Sequence, residues 1–126
     1  MHANRTRTIL VIEDYRDTRA LLSSLLRAKG YKVIEASDGR EGLLQANRVS
    51  PDLILMDLAM PRMDGVEAAR QIRRRNSLSH TPIFAVTAYG TPEVTQDALD
   101  AGCSEVFLKP LELDKFLVKI KETLGA

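Results

Sequence analysis

Five polar side chains of this 126-residue chain follow short apolar runs, and their types suit a site for a metal ion and a phosphate group. They are Glu13, Asp14, Asp57, Thr87 and Lys109. Carboxylate oxygens are ligands that Mg2+ prefers, and this ion keeps several waters that phosphate oxygens can replace. Thr87 adds a hydroxyl donor and Lys109 a positive charge. Because phosphoryl transfer depends on positioning and charge neutralisation, the set is suited to that chemistry.

Three clustered carboxylates would repel one another. Two unit charges ~4 Å apart at an effective dielectric of ~20 interact by roughly 4 kcal/mol. The cluster must therefore take up protons, splay apart or be neutralised by a cation. One carboxylate could itself accept a phosphoryl group as an aspartyl phosphate. Asp57 is the best candidate, because its strand is expected to lie between the strands that lead to Asp14 and Thr87.

The elements that must position these residues follow from hydrophobic periodicity. Short apolar runs predict buried parallel strands at 9–12, 53–56, 83–86 and 106–108, and a further strand is predicted at 32–36. Helices are predicted over about 15–29, 40–48, 65–75, 92–101 and 113–124, with a polar loop at 76–81. Asp64 and Thr91 are expected to cap the third and fourth helices.

This (βα)5 alternation predicts an α/β fold with helices on both faces of a parallel sheet and right-handed crossovers. Five strands allow the flavodoxin-like, doubly wound order 2-1-3-4-5, which places strands 1 and 3 side by side. Ligands of such sheets bind beyond the carboxyl ends of the strands, where the five polar side chains lie. One domain is expected over 8–126, after a flexible N-terminal arm of residues 1–7.

The composition is that of an ordinary globular domain. With 18 basic and 17 acidic side chains, no nucleic-acid partner is expected. No apolar run approaches the roughly 20 residues that span a bilayer, so no membrane partner is expected either. The N-terminus lacks a signal-peptide pattern, and a cytoplasmic protein is the default. Cys103 is the single cysteine and is expected to be a structural, partly buried thiol.

The motifs as a set resemble the receiver domain of two-component response regulators, over about residues 8 to 124. The matching segments are Val11-Ile12-Glu13-Asp14, Asp52-Leu53-Ile54-Leu55-Met56-Asp57, Met60-Pro61-Arg62-Met63-Asp64-Gly65, Val86-Thr87-Ala88, Ala101-Gly102-Cys103 and Lys109-Pro110. The resemblance implies that Asp57 accepts a phosphoryl group from a sensor histidine kinase or a histidine phosphotransfer protein. It also implies a signalling phosphoacceptor rather than an enzyme.

The resemblance also assigns the ligands of the metal ion. Asp14 and Asp57 would bind Mg2+ together with the backbone carbonyl of Ala59, and Glu13 would act through metal-bound water. Thr87 would be the switch hydroxyl that turns to the phosphate.

Lys109 would then pair with the phosphate, and the Lys109–Pro110 peptide bond would be cis. Two positions that tune dephosphorylation in receivers hold Ala59 and Tyr89 here. The lifetime of the phosphoryl group is left open.

One position departs from the receiver pattern. Val106 stands where receivers usually carry the aromatic residue that swings inward as the switch hydroxyl moves. Phe107 should face the other side of its strand by the two-residue alternation, and so belongs to the core. We hypothesise that Tyr89 or the loop after it transmits the signal instead.

The expected readout is a protein partner bound by the fourth helix, fifth strand and fifth helix, including Glu93, Val94, Asp97, Val106 and Leu111. The chain could act as a monomer or as a phosphorylation-dependent dimer, and as a single-domain regulator or a receiver from a larger protein. The main alternative is a Mg2+-dependent phosphohydrolase with an aspartyl-phosphate intermediate. Such an enzyme would need a second acid two residues after Asp57, where this chain has Ala59.

Overall fold

Strands and helices alternate along the whole described chain. The computed structural model describes residues 5–60 and 63–125. Within these residues the strands are β1 (Thr8–Ile12), β2 (Lys32–Ala36), β3 (Leu53–Asp57), β4 (Ile83–Thr87) and β5 (Glu105–Leu108). The helices are α1 (Arg16–Ala28), α2 (Gly39–Val49), α3 (Gly65–Arg73), α4 (Pro92–Asp100) and α5 (Leu113–Leu124). The predicted (βα)5 pattern is confirmed.

The five strands form one parallel sheet in the order β2-β1-β3-β4-β5. This order confirms the flavodoxin-like, doubly wound topology. The central strand, β3, pairs with β1 on one side and with β4 on the other, with Met56 opposite both Ile12 and Ala85. The carboxyl ends of these three strands therefore meet at one edge of the sheet, and Asp57 lies at its centre.

Alternate residues of the central strands point to opposite faces of the sheet and pack into two separate core layers. One layer joins Leu10, Ile12, Ile54 and Met56 to small residues of α2, α3 and α4. The other joins Ile9, Val11, Leu53 and Leu55 to α1 and α5. Burying an aliphatic side chain of this size contributes about 1.5–3 kcal/mol, so both faces of β1 and β3 are held firmly. Helices cover both faces, as predicted.

The aromatic residues follow the same alternation at β5. Phe107 lies 5.1 Å from Phe84 and 4.9 Å from Phe116, measured between ring centroids. These rings belong to the layer covered by α1 and α5, whereas Val106 packs against the opposite layer. The prediction that Phe107 is a core residue is confirmed.

Three helices begin at residues whose side chains cap them. Asp38, Asp64 and Thr91 each accept a hydrogen bond from a backbone N–H three residues later, which satisfies a donor that the helix leaves free. The caps predicted at Asp64 and Thr91 are confirmed. By contrast, α1 begins after Tyr15, whose side chain makes no capping hydrogen bond.

The segment 76–81 is not simply the polar loop that was predicted. It contains a short 3-10 helix, Asn76–Leu78, whose last side chain is buried. Arg73 at the end of α3 donates hydrogen bonds to the carbonyls of Leu78 and Gly102, at 2.8 and 2.7 Å. Cations at a helix C-terminus are generally favoured by the helix dipole alone. Arg73 instead ties α3 to the end of α4.

The remaining sequence features are peripheral to the site. Residues 1–4 of the predicted arm, and Pro61 and Arg62, lie outside the described residues. Arg5 forms an ion pair of 2.7 Å with Asp52, next to the start of β1. Cys103 is buried, and burial raises the pKa of its thiol to about 11, consistent with a structural role. Among the described residues, no helix is both long and apolar enough to cross a bilayer.

Candidate functional site

The three predicted carboxylates meet at the carboxyl edge of the sheet. Glu13 and Asp14 directly follow β1, and Asp57 is the last residue of β3. One carboxylate oxygen from each lies within 4.8 Å of the other two. The side chains of Glu13 and Asp57 are buried, whereas Asp14 is exposed. The cluster is therefore set into the protein on one side and open to solvent on the other.

Lys109 joins two of these acids. Its Nζ atom lies 3.0 Å from Asp57 Oδ2 and 3.4 Å from Glu13 Oε1. Burial alone would lower the pKa of Lys109, but its hydrogen bond to Asp57 and the charges of both acids outweigh this effect and raise the pKa. The side chain therefore remains a cation, and it compensates part of the negative charge of the cluster.

Glu13 is the acid most affected by its surroundings. Burial raises the pKa of Glu13, and the nearby charge of Asp57 raises this pKa further. The backbone N–H of Tyr15 donates to Glu13 Oε2 at 2.9 Å, and this bond and the charge of Lys109 oppose the rise. A divalent cation at the cluster would favour the ionised form.

Asp57 is held in a fixed orientation. Its Oδ1 atom accepts a hydrogen bond of 3.0 Å from the N–H of Ala59, while Oδ2 faces Lys109. The start of α3 lies directly against this end of β3. A Cβ atom at Gly65 would lie 2.7 Å from the Asp57 carbonyl oxygen and 2.7 Å from Leu58 Cα. The absence of a side chain at Gly65 allows this close approach.

Thr87 ends β4 and is 2% exposed. Its Oγ1 atom accepts a hydrogen bond of 3.0 Å from the N–H of Tyr89. Within the described part of the chain, this hydroxyl has no hydrogen bond to Asp57. A cavity of about 270 Å3 lies beside it and is lined in part by Ala59, Thr87, Tyr89 and Val94. The structure thus brings Thr87 to the same edge as the acids but pairs its hydroxyl with its own loop.

The loop after β4 is open to solvent and lies against β5. Tyr89 is 66% exposed. A Cβ atom at Gly90 would collide with the side chain of Leu108, which occupies the space left by the glycine. Leu108 is two residues beyond Val106 and, by alternation, on the same side of β5. It therefore lies where this strand meets the loop that carries Thr87.

The other side of Lys109 faces a larger groove. An apolar groove of about 550 Å3 lies between α1 and the loop before α5, and Leu21, Leu25, Pro110 and Leu111 are among its lining residues. The Lys109–Pro110 peptide bond is cis. Leu111 packs against the α1–α5 layer, whereas Val94 and Val106 pack against the opposite layer. The predicted partner surface therefore does not present Leu111 on the same side as Val94.

Arg19 also contacts the site, although the sequence motifs did not predict this role. Its Nη1 atom donates a hydrogen bond of 2.9 Å to the carbonyl oxygen of Glu13. The signal available in the sequence was a cation in the first turn of α1, where the helix dipole disfavours positive charge. Such a residue is expected to have another partner nearby.

The arrangement can bind a cation and a phosphate group at one place. Carboxylate oxygens of Glu13, Asp14 and Asp57 form an all-oxygen set of the kind that Mg2+ accepts, with an open side toward solvent. Both carboxylate oxygens of Asp57 are held by hydrogen bonds, and Lys109 supplies positive charge beside them. The fit of the donor set to Mg2+ is therefore good.

Known proteins are similar to this chain in sequence and in fold. The chain is 32% identical over 120 residues to the polar-differentiation response regulator DivK of Brucella ovis, covering 95% of this chain and 98% of DivK. The chemotaxis protein CheY4 of Vibrio cholerae superposes with a TM-score of 0.90 at 30% identity, covering 95% of this chain and all of CheY4.

A third similar protein has a metal ion in its site. The receiver domain of the sensor histidine kinase PA1611 of Pseudomonas aeruginosa PAO1 superposes with a TM-score of 0.88 at 30% identity, covering 97% of this chain and all of that domain. Its structure holds a magnesium ion in the active-site cleft. The family model of the response regulator receiver domain matches residues 9–121. With the fold, the acid cluster and these likenesses together, the chain belongs to the response regulator receiver domain family.

Proposed function

We propose that this chain is a phosphoacceptor in two-component or phosphorelay signalling, with Asp57 as the residue that is phosphorylated. The observation that carries the proposal is the contact of 3.0 Å between Asp57 and Lys109 within a cluster of three carboxylates. The donor would be a phosphohistidine of a sensor histidine kinase or a histidine phosphotransfer protein. An oxygen of Asp57 attacks the phosphorus, the P–N bond breaks, and the imidazole leaves.

The residues around Asp57 suit this transfer. The hydrogen bond from the Ala59 N–H fixes one carboxylate oxygen, and Lys109 fixes the other. The product carries about −1.5 to −2 charges on its phosphoryl group, and Lys109 is placed to pair with them. Because this side chain already bridges Asp57 and Glu13, it needs only a small movement to reach the new oxygens.

The acid cluster would hold Mg2+. Asp14 and Asp57 would be carboxylate ligands, the carbonyl of Ala59 a third ligand, and Glu13 would act through bound water. When bound, Mg2+ neutralises charge that develops on phosphoryl oxygens. The protein contributes the preset carboxylates, the orientation of Asp57 and the positive charge of Lys109.

Thr87 is proposed as the switch hydroxyl. In the structure its hydroxyl oxygen accepts from the N–H of Tyr89, so a turn toward the phosphate must release that backbone group. The loop that holds Tyr89 and Gly90 would then rearrange, and the cavity beside Thr87 offers room for this change. Phosphorylation would thus bias a two-state equilibrium of the loops after β3 and β4.

The signal would reach a protein partner through α4, β5 and α5. Glu93 and Asp97 are exposed on α4, and Val94 and Val106 are half-buried between this helix and the sheet. Since Val106 has no ring to swing, we propose that Tyr89 and the loop after it transmit the change. Phosphorylation-dependent partner binding that is unaltered by Tyr89→Ala would rule out this route.

The proposal is tested by incubation with acetyl phosphate and Mg2+, followed by intact mass measurement. We expect one added phosphoryl group that is sensitive to hydroxylamine and absent from Asp57→Asn. Asp52→Asn is the matched control, because Asp52 precedes the same strand at its opposite end and should leave phosphorylation unchanged. Phosphorylation that persists in Asp57→Asn would contradict the assignment.

The same assay separates the phosphohydrolase alternative. A receiver takes up one phosphoryl group and releases it slowly, whereas a hydrolase would turn over phosphate esters repeatedly. Ala59, two residues after Asp57, has no proton-donating side chain to serve such turnover. We therefore propose that the chain is not an enzyme beyond slow autodephosphorylation.

A further inference from the structure

We infer that Arg19 is a positioning residue for the acid pair Glu13 and Asp14, and that it preserves their affinity for Mg2+. This inference rests on the proposed function and adds a residue outside the acid cluster. Arg19 Nη1 donates to the carbonyl oxygen of Glu13 at 2.9 Å. That carbonyl belongs to the peptide bond that joins Glu13 to Asp14. Because a peptide unit is planar, a bond to this oxygen fixes the orientation of the link between the two acids.

The same peptide region is held from the other side. The N–H of Glu13 donates to the carbonyl of Ala36 in β2 at 3.0 Å. The backbone of Glu13 is thus bound at both its donor and its acceptor, although β1 has already ended at Ile12. Arg19 supplies the donor to the acceptor of this residue, the Glu13 carbonyl.

Arg19 is itself fixed by an acid on the neighbouring strand. Its Nε atom lies 3.2 Å from Glu35 Oε1, and its side chain is only 19% exposed. The planar guanidinium group can make both hydrogen bonds at once, because its donors point in different fixed directions. A lysine could not serve two such acceptors with the same geometry.

Arg27 pairs with the same carboxylate as Arg19, but its other hydrogen bond is made to β2 and not to the acid pair. Its Nη1 atom lies 3.4 Å from Glu35 Oε2, and its Nη2 atom donates to the carbonyl of Val33 at 3.1 Å. Arg27 thus lies on the same helix, pairs with the same carboxylate and carries the same charge as Arg19. Of these two arginines, only Arg19 has a hydrogen bond to the acid pair, at the carbonyl of Glu13.

The loop between β1 and α1 has reason to need this hydrogen bond from Arg19, since no side-chain cap holds the start of α1. Asp38, Asp64 and Thr91 cap the next three helices, whereas the side chain at the start of α1, Tyr15, makes no capping hydrogen bond. The carboxylates repel each other and would favour a conformation in which Asp14 moves outward. Arg19 opposes that movement through the backbone.

The experiment compares Arg19→Gln with Arg27→Gln by calorimetric titration of the unphosphorylated full chain with Mg2+. We expect Arg19→Gln to weaken Mg2+ binding by about 10-fold, in the range found when residues that orient metal ligands are removed. Arg27→Gln should change it by less than about 2-fold, since it leaves the ligands in place. Loss of a positive charge alone would tighten the binding of a cation, so the sign of the effect separates positioning from simple electrostatics.

Two further variants keep the test decisive if Arg19→Gln folds poorly. Arg19→Lys retains the charge but not the paired donors, and it should also weaken Mg2+ binding. Glu35→Gln retains Arg19 but loosens its anchor, and it should weaken binding less. Unchanged or tighter Mg2+ binding in these Arg19 variants, with normal binding by the parent chain, would overturn the inference and leave the proposed function intact. A parent chain that binds no Mg2+ would overturn the proposed function itself.

Discussion

The carboxyl edge of the sheet has two halves that differ in how firmly they are held. At β1, β3 and β5, the acid cluster and Lys109 are joined by side-chain hydrogen bonds, and Gly65 lets α3 lie directly against the backbone of Asp57. At β4, the hydroxyl of Thr87 bonds only to its own loop among the described residues, Tyr89 is exposed, and a cavity lies alongside. We call these the acceptor half and the switch half.

This difference is what the proposed phosphorylation switch would require. The group that accepts the phosphoryl must be oriented before the reaction, because a misplaced nucleophile lowers the rate steeply. The group that reports the event must have a second conformation at low energetic cost. Substitutions in the acceptor half are therefore expected to lower the free energy of unfolding strongly. Substitutions in the switch half are expected to change it little.

The largest effect is expected for Gly65→Ala in the acceptor half. Its new methyl group would overlap the backbone of Asp57 and Leu58, which cannot move as a side chain can. We expect a loss of about 2–3 kcal/mol in the free energy of unfolding, even though alanine favours helix more than glycine does. Chemical denaturation measures this loss. A stability equal to that of the parent would show that the end of β3 is not held as tightly as we describe.

Lys109→Met should have the next largest effect. It leaves Glu13 and Asp57 buried beside each other without their shared cation. Removing one partner from a buried ion pair is costly, but Lys109 keeps 32% of its side chain exposed, so we expect about 1–2 kcal/mol of destabilisation in the absence of Mg2+.

Lys119→Met is the matched control for that substitution. Lys119 pairs with Glu105 at 2.9 Å, but both side chains are well exposed, so this change should have little effect on stability. Equal losses in the two lysine variants, measured by urea denaturation without Mg2+, would indicate that the cluster is not strained by its own charge.

Asp14→Asn should act in the opposite direction. Asp14 is the exposed member of the cluster, and its removal relieves repulsion while costing little packing. We expect a gain of about 0.5–1 kcal/mol without Mg2+. The stabilisation that added Mg2+ gives the parent chain should decrease. Thermal unfolding with and without Mg2+ measures both effects, and destabilisation in Mg2+-free buffer would count against repulsion within the cluster.

The smallest effect on stability is expected for Gly90→Ala in the switch half. The atoms nearest to its methyl group belong to the side chain of Leu108, which is 57% exposed and free to turn away. We expect a loss below about 0.5 kcal/mol, together with a clear change in the NMR signals of the Leu108 methyl groups. A loss as large as that of Gly65→Ala would remove the contrast between the two halves.

Local patterns in the sequence were sufficient for most of the fold. The buried runs that end at Ile12, Asp57 and Thr87 have a length typical of parallel strands, and the alternation with helices predicted a parallel sheet. The strand order was one that this alternation allows, and its choice rested in part on the resemblance to receiver domains. The opposite orientations of Val106 and Phe107 followed from the two-residue period of a strand. The approach of Glu13, Asp14 and Asp57 followed from the strand order.

Contacts between residues distant in sequence could not be predicted in this way. The pairing of Arg19 with Glu35 depends on how α1 lies across β2, which no local period specifies. The burial of Leu78 was not predicted, because the segment around it is polar and was predicted to be a loop. The hydrogen bond between Thr87 and the Tyr89 N–H also escaped prediction, since a short turn can satisfy a threonine in several ways.

The distribution of tyrosines gives the chain its own optical reporters. It has no tryptophan and three tyrosines, so its ultraviolet emission comes from tyrosine alone. Tyr15 directly follows the acid pair and Tyr89 belongs to the loop of Thr87, whereas Tyr31 precedes β2 at the opposite edge of the sheet. A change in the summed emission of the unlabelled protein can therefore report an event at either half of the site, above a background from the distant ring.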